Sequence, residues 1–163
     1  MNHDASFNST AWHDNHVHGL SVHEGEDRGG QLVLDLDHIV EWVKPKYGSF
    51  SFRIAPAFLT FHDVSDLEIF ISYAASGAAI VPFSIGEIHR DLLSPGERPY
   101  YQWEIDLSWP KGKISFKASG FTQVLRTEPI ESEGQKLSQE ERQGLFASTN
   151  SPTSLRKPGA AQA

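Results

Sequence analysis

The sequence predicts a mainly β protein: an antiparallel sandwich or partly open barrel of about eight strands, with one short helix and a disordered C-terminal tail. The first reason is a repeated alternation of apolar and polar residues, clearest in residues 31–37 and 101–118. Such alternation is typical of half-buried strands. The second reason is that turn-forming residues such as Asp63 and Pro110 separate the alternating segments.

The strand predictions follow this alternation along the chain. Strands are expected at residues 16–22, 31–37, 49–55, 57–62, 67–73, 80–89, 101–108, 114–118 and 121–126. Pro56 is expected to end the third strand, because proline cannot donate to a sheet ladder. Asp63–Asp66 is expected to form a turn, and so is Trp109–Gly112, which gives the clearest hairpin signal in the chain.

The one short helix is predicted directly after the second strand, at residues 38–44. Asp37 stands where an N-cap would, apolar residues follow at helical spacing, and Pro45 ends the run. The strand alternation places Asp35 and Asp37 on the solvent face. This pair of carboxylates is therefore expected to be a solvated surface rather than an acid–base dyad.

The 163 residues are expected to form a single domain. Residues 1–11 are polar and aperiodic and are interpreted as a flexible N-terminal arm. The β-rich domain is assigned to residues 12–128. Beyond it aromatic residues almost vanish and Ser, Gln, Glu and Gly accumulate, so residues 129–163 are interpreted as a disordered or weakly helical tail.

Composition and charge exclude several classes of function. The chain has no cysteine, which excludes thiol catalysis, disulfides and zinc ribbons. Its 14 Lys and Arg are scattered among 21 Asp and Glu, a formal charge of −7 that argues against nucleic acid and favours a basic protein partner. No leader or membrane-spanning segment is recognisable, so a cytoplasmic protein without membrane contact is expected.

The densest set of potentially reactive side chains lies in residues 12–19, Trp-His-Asp-Asn-His-Val-His-Gly. On a strand, His16 and His18 would project from one face, and the stretch resembles the D-x-H-x-H motif of metal-dependent amidohydrolases. That resemblance implies a hydrolase that holds a divalent transition metal. Its ligands would be His13, His16 and His18, with Asp14 as the base and His62 added by a later strand. The family's (β/α)₈ barrel needs about 250 residues, whereas this chain is shorter and β-rich.

Two other interpretations of this cluster remain open. In the first the histidines are structural: Asp14 accepts an imidazole N–H, His13 and Asp14 fix the entry of the first strand, Trp12 acts as a hydrophobic lid, and no cofactor is needed. In the second the histidines bind a transition metal weakly without catalysis, and His23 joins them. Other catalytic templates find no support, because G-x-S-x-G, P-loop and G-x-G-x-x-G motifs are absent.

Four blocks of sequence carry a further resemblance. They are Trp12–Asp14, Leu34–Trp42, Pro56–Ile69 and Ile114–Arg126. Their order resembles a family of small uncharacterised bacterial proteins over residues 12–130 and, more distantly, the immunity proteins of bacterial polymorphic toxin systems. The second resemblance implies a non-enzymatic protein that binds and occludes a toxin. A protein of that kind should expose an acidic or aromatic patch, whereas a hydrolase needs its histidines to converge on one concave site.

Overall fold

The computed structural model describes residues 7–25, 29–45, 47–74, 77 and 79–143. Within them the chain is mainly β, as predicted. The strands are β1 (His16–Glu24), β2 (Gly30–Val43), β3 (Ser51–Ser72), β4 (Phe83–Ser94), β5 (Tyr100–Trp109), β6 (Lys111–Ala118), β7 (Gly120–Leu125) and β8 (Ile130–Ser132). A helical turn covers residues 7–9, and a short helix, α1, covers Gln139–Arg142.

The strands form one antiparallel sheet that curls into a partly open barrel, which confirms the predicted fold class. Around the barrel the order is β2, β1, β4, β5, β6 and β3, and β2 also pairs with β3. Strands β7 and β8 continue along β3 where β6 has ended. The narrowest junction joins β1 to β4, whose register holds two residue pairs, His16 with Ser84 and Val17 with Phe83.

The barrel core is apolar and follows from the alternation. In β2, Leu32, Leu34 and Leu36 are fully buried, while the residues between them are partly exposed. Across the barrel the ring of Phe61 lies 5.0 Å from that of Trp103 and 4.7 Å from that of Phe116, measured between centroids. Tilted ring pairs at such distances add about 0.5–1.5 kcal/mol each to the burial of their area.

The predicted helix at residues 38–44 is wrong, because β2 continues to Val43 and pairs with β3 throughout. A bulge between Ile39 and Glu41 shifts the alternation by one residue, so apolar positions on a bulged strand imitate helical spacing. His38 and Ile39 are both buried, because each face of the sheet is covered there. No helix among the described residues is long and apolar enough to cross a membrane.

Strand β3 runs through Pro56, where the sequence predicted its end. The Pro56 carbonyl accepts from the Arg126 N–H at 2.7 Å, so the absent N–H of Pro56 points the same way, into the gap between β7 and β8. No ladder bond is lost there. The predicted turn at Asp63–Asp66 is instead a kink within β3, with φ of 54° at Asp63 and 51° at Asp66 and a bulge after Ser65.

Residues beyond both predicted domain boundaries pack against the barrel. Phe7, assigned to the flexible arm, places its ring 5.5 Å from those of Trp12 and Trp103 and packs on the barrel core. At the other end, β8 pairs with β3, and Leu137 is buried on the outer face of the sheet. The domain therefore extends through residue 143, and the predictions for residues 1–6 and 144–163 lie outside the described residues.

Candidate functional site

The histidine-rich segment begins with a tight turn that attaches it to β4. Asp14 has a φ of 64°, its N–H donates to the Ile85 carbonyl at 2.9 Å, and the Asn15 carbonyl accepts from the Ile85 N–H at 3.0 Å. Just before the turn, the Trp12 indole is buried and donates to the Gln123 side-chain oxygen at 2.8 Å. Trp12 is therefore part of the core.

Inside this turn Asn15 fixes the state of His38. The Asn15 Oδ1 accepts from the Ile39 N–H at 3.2 Å, so its amide nitrogen is the donor in the 2.9 Å contact with His38 Nδ1. His38 Nδ1 must then be unprotonated, so that it can accept this hydrogen bond. Burial lowers the pKa of His38 in agreement with this assignment.

Asp37, expected on the solvent face, is completely buried. Its carboxylate accepts from His18 Nε2 at 2.7 Å and from the Leu137 N–H at 2.9 Å, and it forms an ion pair with Arg142. The prediction failed because the segment after β8 covers this face of the sheet. Burial by itself would raise the pKa of Asp37, but the hydrogen bonds from His18 and Leu137 and the charges of His18 and Arg142 hold it below its usual value.

His16 lies opposite Asp37 in the β1–β2 register and differs from the other histidines. Its Nδ1 is buried and has no hydrogen-bond partner among the described residues. Burial lowers the pKa of His16; Asp37 opposes the shift and the charge of Lys136 adds to it. Burial therefore favours the neutral form of His16 beside Asp37.

The predicted metal site is not assembled. Among the described residues no group of three or more His, Asp and Glu side chains is arranged to hold a metal ion. His18 is bonded to Asp37, whereas the exposed His13 contacts Asp14 at 3.0 Å. His62 is hydrogen-bonded to Thr122 at 3.0 Å, and His23 to Ser21 at 2.8 Å. His13, His18, His23 and His62 thus each have a separate partner, and the predicted ligands do not converge on one concave site among the described residues.

A feature that the sequence did not predict lies at the end of the β2–β3 hairpin, where three aromatic side chains reach the surface. Trp42 is 45% exposed, Phe50 50% and Tyr47 93%; we call them the aromatic platform. The Trp42 ring packs edge-on against Phe50 at 6.5 Å and against the buried Phe52 at 5.0 Å. Anchoring on Phe52 holds the Trp42 ring in place while its outer surface stays exposed.

Acidic side chains border the aromatic platform. A surface depression of about 680 Å³ is lined by Phe50, Glu131 and Glu133 together with three serines. Glu131 accepts from the Ser51 hydroxyl at 3.1 Å, and neither glutamate has a cationic partner among the described residues. The nearby Arg53 is already paired with Glu41 at 3.4 Å. The depression therefore combines an aromatic wall with two unneutralised carboxylates.

The signal for this platform was present in the sequence, because Trp42, Tyr47 and Phe50 lie close together around the turn-forming residues Pro45 and Gly48. The platform was not predicted, because residues 38–44 were expected to form a helix and not the end of a β-hairpin. Comparisons with protein-family models, with curated proteins and with solved structures found no match to this chain.

Proposed function

We propose that this chain is a non-enzymatic binding protein whose aromatic platform docks a basic protein partner. The observation that carries the proposal is the exposure of Trp42 and Phe50 beside Glu131 and Glu133. Solvent-exposed tryptophan that is held by packing is the kind of side chain that dominates binding energy in protein interfaces. An immunity-type role, in which the partner is a toxin and both meet in the cytoplasm, is the form of this proposal that the sequence resemblance favours.

The chemistry of the depression defines the partner. A Lys or Arg side chain can lay its aliphatic stem on Phe50 and direct its charge to Glu131 and Glu133. The net charge of −7 would speed the approach of a basic protein. An acidic partner would be repelled by the same carboxylates.

The alternative hydrolase function has less support. It requires His13, His16 and His18 to share one metal centre, but among the described residues no group of three such side chains is arranged to hold a metal ion. It also requires His62 near them, but that side chain is bonded to Thr122 on β7. Binding of a partner at the aromatic platform does not require these histidines to lie together.

The test begins with affinity capture from cells of the native host, using the full chain, followed by purification of any enriched protein and titration of the two components. A double variant, Trp42→Ala with Phe50→Ala, should weaken the purified complex by about tenfold or more. The matched control is Phe70→Ala, because Phe70 is a 60% exposed phenylalanine on the same strand as Phe52. It should leave the affinity unchanged.

Charge provides the second arm. Glu131→Lys with Glu133→Lys should weaken binding and reduce its dependence on salt, whereas Glu68→Lys with Glu97→Lys, the same charge change at other exposed positions, should not. An acidic partner, or affinity unmoved by either platform variant, would overturn the proposal. So would turnover of a metal-dependent ester or amide substrate by the purified protein with no partner recovered.

A further inference from the structure

A cleft of about 790 Å³ lies between the outer face of the barrel and the segment that follows β7. It shares no residue with the aromatic platform. Its lining carries three permanent cations, Arg126, Lys136 and Arg142, and the imidazole of His18. Asp35 is the one carboxylate among the described lining residues. In a chain with a net charge of −7 this is a local reversal of sign.

The charges of the cleft are not fully paired within the protein. Arg142 is matched by Asp35 at 2.5 Å and by the buried Asp37. Arg126 approaches the same Asp35 oxygen at 3.5 Å, the outer range of an ion pair. Lys136 has no ion pair with any residue that the structure describes. Three cations therefore face two carboxylates, and both carboxylates are already bound to Arg142.

Neutral donors complete the lining. The hydroxyl of Ser138 and the side-chain amides of Gln139 and Gln143 border the cleft, whereas the Thr127 hydroxyl donates to the Glu128 carbonyl at 3.2 Å. The Ser138 oxygen accepts from the Glu141 N–H at 3.2 Å, which leaves its hydrogen able to donate outward. Excess positive charge surrounded by hydrogen-bond donors suits a ligand with several charged oxygen acceptors.

We propose that this cleft binds a phosphate group, with Arg126 and Lys136 as its charge partners. The arginine guanidinium matches the geometry of phosphate oxygens, and lysine is the usual point charge beside them. The cleft volume falls within the range of small-molecule sites, about 300–1,000 Å³. A phosphorylated small molecule and free phosphate share this chemistry, and the titration below distinguishes the two.

The test is isothermal titration of the full chain at low ionic strength with inorganic phosphate, glucose 6-phosphate and glucose as probes. Both phosphates should bind at one site, glucose should not, and Arg126→Gln with Lys136→Gln should weaken phosphate binding by about tenfold or more. The control Arg53→Gln with Lys113→Gln removes the same charge from pairs on exposed strand surface and should have no effect. Tighter binding of glucose 6-phosphate than of inorganic phosphate would assign the ligand to the phosphorylated molecules, and equal binding to free phosphate.

Failure of both phosphates to bind the unaltered chain at millimolar concentration would overturn the proposal. Equal weakening in the cleft variant and its control would also overturn it, because binding would then reflect net charge alone. Amide NMR shifts in the unaltered chain give a reading that does not depend on how the variants fold. The phosphate probes should move the signals of Thr127 and Gln139, and movement confined to other residues would contradict the site.

Discussion

The barrel core and the outer face of β2 and β3 are held by different forces. The core buries large apolar side chains from seven strands, with Phe61 and Trp103 at its centre. The outer cluster contains four apolar residues, Ile39, Phe52, Ile54 and Leu137, and beside it lies the ion pair of Asp37 with Arg142. The stabilisation that comes from apolar burial hardly changes with pH. The stabilisation that depends on the charge state of buried titratable groups does change with pH.

The barrel core and the outer cluster should therefore unfold under different conditions. A buried ion pair adds little stability compared with apolar side chains in the same place. Removing one of its two partners, however, lowers the free energy of unfolding strongly. We expect the C-terminal segment, residues 126–143, to detach under conditions that leave the barrel intact. Each of the following changes is directed at one layer.

The largest effect is expected in the core. Phe61→Ala removes a side chain that is 1% exposed and should lower the free energy of unfolding by about 3–5 kcal/mol. Urea denaturation followed by tryptophan fluorescence measures the loss. Phe70→Ala, at a 60% exposed position of the same strand, should change it by about 0.5 kcal/mol or less. Similar losses in the two variants would contradict the assigned core.

A smaller effect is expected from Arg142→Met, which leaves the Asp37 carboxylate buried without its cation. The loss should be at most about 3 kcal/mol, because the segment can detach and let water reach Asp37. Hydrogen exchange should accelerate at the Leu137 N–H, which donates to Asp37, while the amide of Leu34 in the barrel stays protected. Acceleration of both amides would mean that the layers unfold together.

The matched control for that prediction is Arg53→Met. Arg53 and Glu41 are about half exposed, at 48% and 56%, and their ion pair spans 3.4 Å. Screening by water limits an exposed pair to about 0–1 kcal/mol. Exchange at Leu137 should therefore match that of the unaltered chain.

The smallest effect is a dependence on pH. His16 and His38 have pKa values depressed by burial below the ordinary 6.5, so the unfolded chain takes up protons first. Their contribution to stability is full above pH 6.5 and is lost as the pH falls through the depressed values. The lowered pKa of Asp37 acts in the same direction, but its contribution is lost only below its ordinary 3.8.

Urea denaturation at about pH 7.5 and about pH 5 measures this dependence. His38→Gln should reduce the loss of stability on acidification, since it removes a group that must stay neutral to accept from Asn15. The exposed His23 serves as the control, and His23→Gln should leave the dependence as it is. An unchanged dependence in His38→Gln would show that His38 is not a source of it.

The parts of the fold that the sequence predicted are those in which local alternation and tertiary burial agree. The β5–β6 hairpin is confirmed, with Tyr101, Trp103 and Ile105 buried opposite Ala118, Phe116 and Ile114. The strand end at Pro56 and the helix at residues 38–44 were predicted wrongly, because tertiary contacts determine the structure at both places. A gap between β7 and β8 tolerates the proline, and a bulge disguises the strand.

Of the residues around Asp37, the sequence indicated only the histidine-rich segment and not the C-terminal residues that pack against it. The crowding of His16 and His18 is visible in the sequence, but their environment is made by Asp37 on the next strand and by Lys136 and Arg142, which lie far along the chain. One local signal was available, since Ser138 and Glu141 form a capping box directly after Leu137. That signal would have indicated an ordered segment, although not the face it covers.

The pairing of Asp37 with Arg142 also bears on how the chain is made. The two residues are 105 positions apart, and at about 5–20 residues per second the ribosome needs about 5–20 s to pass from one to the other. During that interval the barrel strands emerge, but the segment that covers the carboxylate and supplies its cation has not yet been made. The outer face of β2 therefore stays exposed to solvent on the nascent chain. The packing of the C-terminal segment onto that face is among the last events of folding.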